Sequence, residues 1–210
     1  MIKGVVFDWN GLIADTEELH RLAFSEALRL HGFQGEVSKK EWSRYCGVGD
    51  EGTSRMLLED YNIDCDPEVL FREKQPIYAR LVNREIEFMP GFERLYDMVR
   101  ARGLRCIVAS GSERVFLERE MKALGLFGEL QHVCVQDVGK PKSDPAIFYL
   151  AADRIDLKPE ECFLFEDGVT GVKTGNSIGM KTVFLKTYGE CEEAFMQVDC
   201  LEDITESIFD

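Results

Sequence analysis

Five short apolar runs, several of them ending on a polar residue, constrain this chain more than anything else in it. Gly4-Val5-Val6-Phe7 runs into Asp8, Leu104-Arg105-Cys106-Ile107-Val108-Ala109 into Ser110-Gly111-Ser112, and Cys162-Phe163-Leu164-Phe165 into Glu166-Asp167-Gly168. His132-Val133-Cys134-Val135 and Lys181-Thr182-Val183-Phe184-Leu185 complete the set. The runs are continuous rather than alternating, as strands covered on both faces of a parallel sheet must be. Helical periods lie between them: Phe92, Leu95, Tyr96 and Val99 before the second run, then Val115, Phe116, Met121 and Leu124 after it. This alternation predicts an α/β fold with a Rossmann-like parallel sheet. Open sheets of that kind bind ligands beyond the carboxyl ends of their strands, so Asp8, Ser110 and Asp167 are expected to converge on one crevice.

Residues 16–89 break the pattern. Leu19, Leu22, Ala23 and Leu28 mark one helical face, with Asp15 or Thr16 as its N-cap. Further helical stretches follow near 38–46, 51–62 and 67–88, and Pro90-Gly91 reads as the return hinge. The expected organisation is an α/β core from 1–15 and 90–210, carrying an all-helical cap inserted at 16–89, and 210 residues suffice for both.

Composition narrows the function. A formal charge of -14 argues against a nucleic-acid partner, which needs clustered Lys and Arg. No apolar run approaches the ~20 residues of a membrane span. The first residues lack the apolar stretch of a signal peptide, so a cytoplasmic protein, acting as a monomer, is expected. The seven cysteines are scattered and never spaced Cys-x-x-Cys, which predicts reduced thiols rather than disulfides or zinc.

The segment Asp8-Trp9-Asn10-Gly11-Leu12-Ile13-Ala14-Asp15-Thr16-Glu17-Glu18-Leu19-His20 resembles the first motif of the haloacid dehalogenase superfamily, in the branch of β-phosphoglucomutase and sugar-phosphate phosphatases. Val108-Ala109-Ser110 is similar to the second motif, Lys142-Ser143-Asp144-Pro145-Ala146-Ile147-Phe148 to the third, and Phe165-Glu166-Asp167-Gly168-Val169-Thr170-Gly171 to the fourth. The four stand in the family's order, with the helical stretch inserted after the first, and the likeness spans essentially the whole chain.

Phosphoryl transfer from a dianionic ester needs an anionic nucleophile held in a positive cage. Asp8 is the candidate nucleophile, able to form an aspartyl-phosphate. Asp167 and Glu166, with Asp8, suit a hard cation, for which Mg²⁺ is the expectation. The resemblance adds the backbone carbonyl of Asn10 as a further metal ligand. It also implies that Lys142 supplies the fixed positive charge, although Gly139-Lys140-Pro141-Lys142 admits Lys140 in the other register. Ser110, Gly111, Gly11 and His20 are the residues it assigns to phosphate and substrate, while Ser112 reads as a helix N-cap.

The family pattern is Asp-x-Asp, and here it reads Asp8-Trp9-Asn10. An amide neither gives nor takes a proton at neutral pH, so turnover is expected to suffer while binding survives. Asn10→Asp is the expected repair. An engineered trap, a natural variant using other groups (His20 among them) and a protein that has given up catalysis all fit the sequence. In Tyr45-Cys46-Gly47-Val48-Gly49-Asp50, Asp50 stands where the mutases carry an Arg, and its charge would repel a second phosphate. The expected activity is therefore hydrolysis of a small phosphorylated metabolite, a sugar phosphate foremost. A β-phosphoglucomutase-type mutase and a phosphate-binding regulatory protein are the alternatives.

Overall fold

The computed structural model describes residues 1–45, 49–187 and 189–209. The chain forms two units: 1–15 with 87–210, and 16–86. It opens with β1 (Gly4–Phe7), every residue of which is buried, followed by the short β2 (Ala14–Asp15).

The second unit is all helical: α1 (Glu17–Leu30), α2 (Lys39–Trp42), α3 (Asp50–Asp60) and α4 (Pro67–Glu85). Its core gathers Leu19, Ala23, Phe24, Leu28, Trp42, Leu57, Tyr78 and Val82. Thr16 does occupy the N-cap position of α1, but its side chain makes no capping hydrogen bond. Two later helix starts are capped. Ser38 and Glu41 form a reciprocal capping box, and Asp66 accepts from the amide of Glu68 at 2.8 Å, one residue past Pro67.

The chain returns through β3 (Glu87–Phe88), which pairs antiparallel with β2, Ala14 opposite Phe88. That pairing is why the unit boundary falls before Glu87 rather than at Pro90. Then follow α5 (Phe92–Ala101), β4 (Arg105–Ser110), α6 (Arg114–Ala123), β5 (Gln131–Cys134), α7 (Val135–Val138), α8 (Ala146–Arg154), β6 (Cys162–Glu166), α9 (Val169–Ser177), β7 (Lys181–Leu185) and β8 (Met196–Val198).

The six-stranded sheet has the order β5-β4-β1-β6-β7-β8, and every neighbouring pair is parallel. β1 sits in the middle, with Gly4 level with both Arg105 and Cys162. Successive strand residues face opposite sides of the sheet. Val6, Ile107 and Leu164 pack with Ile147, Phe148 and Ala151 of α8 on one side. On the other, Phe7 meets Phe92 edge-on at 5.7 Å and Phe165 at 5.5 Å. Burying each such ring stabilises by about 2–3 kcal/mol, which makes the central strand a rigid base for the residue that follows it.

Among the described residues, no helix is long and apolar enough to cross a membrane. Cys65, Cys106, Cys134, Cys162, Cys191 and Cys200 are free thiols, with Cys134 and Cys162 buried and Cys106 only partly so. Cys46 lies outside the described residues.

Candidate active site

Asp8 directly follows β1, and its amide still donates to Phe165 O at 2.9 Å. The ladder thus extends one step beyond the strand and aims the carboxylate over the carboxyl edge. The turn after it closes on a single acceptor, since the carbonyl of Trp9 receives the amides of Ile13 at 2.8 Å and Ala14 at 3.0 Å. Gly11, at φ +73°, lies in this turn, and a side chain there would overlap the Asp167 carboxylate. Its amide is taken by Ala14 O at 3.0 Å. Gly11 therefore gives the site room, while its amide is engaged within the turn.

Lys142 reaches in from the segment before α8. Its ammonium forms ion pairs with Asp8 and with Glu166, the latter at 2.5 Å. Burial works against that charge, but the two carboxylates outweigh it and hold the ammonium well above the usual lysine range. Lys140 instead pairs on the surface with Asp144 at 2.8 Å. Of the two registers, it is Lys142 that stands among the acids.

Glu166, the last residue of β6, is 1% exposed. Its second oxygen accepts the amide of Gly168 at 2.6 Å, and Gly171 of α9 packs so closely that any side chain there would strike the carboxylate. Burial, reinforced by the charge of Asp8, raises its carboxyl above the ordinary glutamate range, against the pull of Lys142. Asp8, Glu166 and Asp167 each offer an oxygen, and the three atoms lie within 4.8 Å of one another. Among the described contacts, Lys142 is shared by two carboxylates, with the third within 4.8 Å of both. An all-oxygen donor set of this size fits a hard divalent cation.

Ser110 ends β4 and is fully buried, with Oγ accepting the amide of Ser112 at 3.0 Å. A hydroxyl that accepts keeps its own proton to donate. Gly111 follows, with the stem of Lys142 alongside it. Ser112 is not the N-cap of α6, because Glu113 holds that position. Its hydroxyl is drawn away to Asn10 Oδ1 at 2.6 Å.

The sequence reading missed Glu120. It lies on α6 at 1% exposure, accepting from Trp9 Nε1 at 2.5 Å and from Asn10 Nδ2 at 3.4 Å. The available signal is an acid inside an apolar stripe: Leu117, Glu120 and Met121 share the buried face of the helix.

His20 belongs to the helical unit. There Lys74 Nζ stands 2.8 Å from His20 Nδ1 and 2.7 Å from Asp50 Oδ2, and the imidazole stacks on Tyr78 at 4.2 Å. Of the loop compared with the mutases, Cys46, Gly47 and Val48 lie outside the described residues.

A parallel sheet that gathers acids, a lysine and a serine at its carboxyl edge is a Rossmann-like α/β core with its polar residues where open sheets bind ligands. Residues 2–179 match the haloacid dehalogenase-like hydrolase family, and the chain belongs to it. It is 31% identical over 183 residues to fructose-1-phosphate phosphatase YqaB of Escherichia coli, covering 86% of this chain and 94% of that one. It is 32% identical over 187 residues to a probable pseudouridine-5'-phosphatase of Drosophila melanogaster, covering 86% and 80%. Among solved structures, an Asp-to-Asn variant of CbbY from Rhodobacter sphaeroides in complex with xylulose-(1,5)-bisphosphate superposes with a TM-score of 0.80 at 25% identity, covering 97% and 96%.

Proposed function

We propose that this protein is a cytoplasmic, monomeric, Mg²⁺-dependent phosphatase that hydrolyses phosphate monoesters of small metabolites, sugar phosphates foremost, through an aspartyl-phosphate on Asp8. The observation that carries it is the joint ion pairing of Lys142 with Asp8 and Glu166 beside Asp167, at the carboxyl end of the central strand. Sugar and nucleoside phosphates are the substrates in the names of the relatives.

In the proposed reaction an Asp8 oxygen attacks phosphorus as the ester P–O bond breaks, and the departing oxygen takes a proton. Water then attacks the aspartyl-phosphate, releasing inorganic phosphate and restoring Asp8. Ser110 donates its hydroxyl to a phosphate oxygen, Lys142 holds a second, and Gly111 leaves the phosphate space beside the chain. Mg²⁺ held by Asp8, Glu166, Asp167 and the Asn10 carbonyl would supply the charge that lets two anions meet. Asn10 cannot titrate, so protons pass to and from solvent, and turnover is slow for the family. His20 is assigned to substrate within the helical unit.

Asn10 also favours a second reading, a phosphate-binding protein with little turnover; the CbbY variant complex supports the idea that an Asp-to-Asn change is compatible with holding a phosphorylated ligand. A mutase is disfavoured because Lys74 is already matched by Asp50 at 2.7 Å, which leaves that cation little charge for a second phosphate. The test is release of inorganic phosphate from a panel of phosphate monoesters, with and without Mg²⁺. Mg²⁺-dependent release that Asp8→Asn abolishes supports the phosphatase. Saturable binding of phosphate esters without release by the parent would overturn it in favour of the binding protein.

A further inference from the structure

The Asn10 carboxamide is held from both sides. Ser112 Oγ donates to its oxygen at 2.6 Å, and its nitrogen donates to Glu120 Oε2 at 3.4 Å. The same Glu120 oxygen accepts Trp9 Nε1 at 2.5 Å. Trp9 is 0% exposed and Glu120 1%, so both ends of this contact are shut away from water. A carboxylate only accepts, so whatever faces it must donate. Glu120 therefore turns the amide nitrogen of Asn10 toward itself and leaves the amide oxygen for Ser112. The network goes on from there, because the Ser112 amide donates to Ser110 Oγ at 3.0 Å. One chain of hydrogen bonds thus runs from a buried helix face, through Trp9, Glu120, Asn10 and Ser112, to the serine at the end of β4.

We propose that Glu120 is a positioning residue of this site: it fixes the orientation of the Asn10 carboxamide and, through Ser112, the Ser110 hydroxyl. At position 10, where the family motif keeps a carboxylate, this chain has an amide whose nitrogen faces the carboxylate of Glu120. The kinetic half of this inference rests on the phosphatase reading; the structural half does not. It also reverses the expectation for Asn10→Asp. An aspartate at position 10 would put a second carboxylate against the buried Glu120, and the like charges would repel. The apparent repair disrupts the site unless Glu120 changes with it.

The test is a double-mutant cycle on the full chain: parent, Asn10→Asp, Glu120→Gln and the double variant. In the parent, Glu120→Gln is expected to lower kcat about tenfold with a smaller change in KM, the usual scale for losing an outer-shell orienting carboxylate. In the Asn10→Asp background the same substitution is expected to raise kcat. Two readouts are independent of turnover. Asn10→Asp should lower Tm and shift the Trp9 indole N–H resonance, identified by its absence in Trp9→Phe, and adding Glu120→Gln should recover part of the lost Tm by removing one of the two facing charges. The departure from additivity in Tm should be about 3 °C or more. Additive Tm values, or a Glu120→Gln effect of the same sign in both backgrounds, would overturn the proposal. Non-additive Tm values with no hydrolysis by any of the four would support the Asn10–Glu120 pairing and overturn the phosphatase reading instead.

Discussion

Each unit sets a largely buried lysine against carboxylates, and the two arrangements differ in charge balance. Lys74, its side chain 1% exposed, pairs with Asp50 at 2.7 Å. The rings of Phe24 and Tyr78 cover the ammonium at 5.1 and 4.4 Å. Lys142, 17% exposed, faces Asp8 and Glu166 with Asp167 beside them. An ammonium paired with a carboxylate under two rings is a structural contact. One cation shared by two acids, with a third carboxylate within 4.8 Å, is an oxygen-rich cluster suited to a metal ion. A buried lysine alone does not mark a site; the cluster of carboxylates around it does.

Lys142→Met tests the unbalanced cluster and should have the largest effect. Loss of the fixed cation is expected to lower kcat by ~10³, the scale of removing a preorganised electrostatic donor. The metal-free protein should also melt at a lower temperature, with millimolar Mg²⁺ recovering part of the loss. A metal-insensitive drop in Tm would mean that the acids do not share a cation site.

Lys74→Met tests the balanced one. Breaking a buried pair by removing one partner costs about 3 kcal/mol, so a drop in Tm of roughly 6–12 °C is expected for a chain of this size, with no recovery by Mg²⁺. Recovery by the metal would show that Lys74, like Lys142, borders a cation site.

The smallest effect is a pH dependence. Burial opposes the charge on Asp50, but His20 and Lys74 hold its carboxyl below the ordinary value of 3.8. A depressed carboxyl contributes stability that is present above its unfolded value and lost as pH falls through the folded one. The gap in Tm between the parent and Asp50→Asn should therefore be full at pH 7 and narrow as the solution is acidified below 3.8. A gap that stays constant down to acid unfolding would show that Asp50 acts through packing rather than charge.

The central sheet was legible because its strands are buried on both faces and so spell continuous apolar runs. Lys181–Leu185 has the bounds expected, and the other expected strands lie within one residue of theirs. Met196–Val198 and the pair Ala14–Asp15 with Glu87–Phe88 were not, since two or three residues cannot establish a period. At the site, Asp8, Ser110 and Glu166 stood out because each follows or ends an apolar run. Ser112 misled because capping is a local rule, whereas its hydroxyl answers to Asn10, 102 residues away in sequence. Glu120 escaped for the same reason. Its partners Trp9 and Asn10 lie at least 110 positions off, and only an acid in an apolar stripe hints at them.

The turn that carries Asn10 also bears on how the protein ages. An Asn-Gly step is the dipeptide most prone to spontaneous deamidation, in which the glycine nitrogen attacks the side-chain carbonyl carbon and closes a succinimide ring. Here that nitrogen is committed to Ala14 O at 3.0 Å, and the carboxamide is tied to Ser112 and Glu120. Ring closure would have to free the glycine nitrogen from Ala14 and turn the carboxamide carbon toward it. The folded turn thus slows a chemical clock that runs freely in the unfolded chain, and every excursion to the unfolded state advances it. Conditions that favour folding therefore also preserve the covalent identity of position 10.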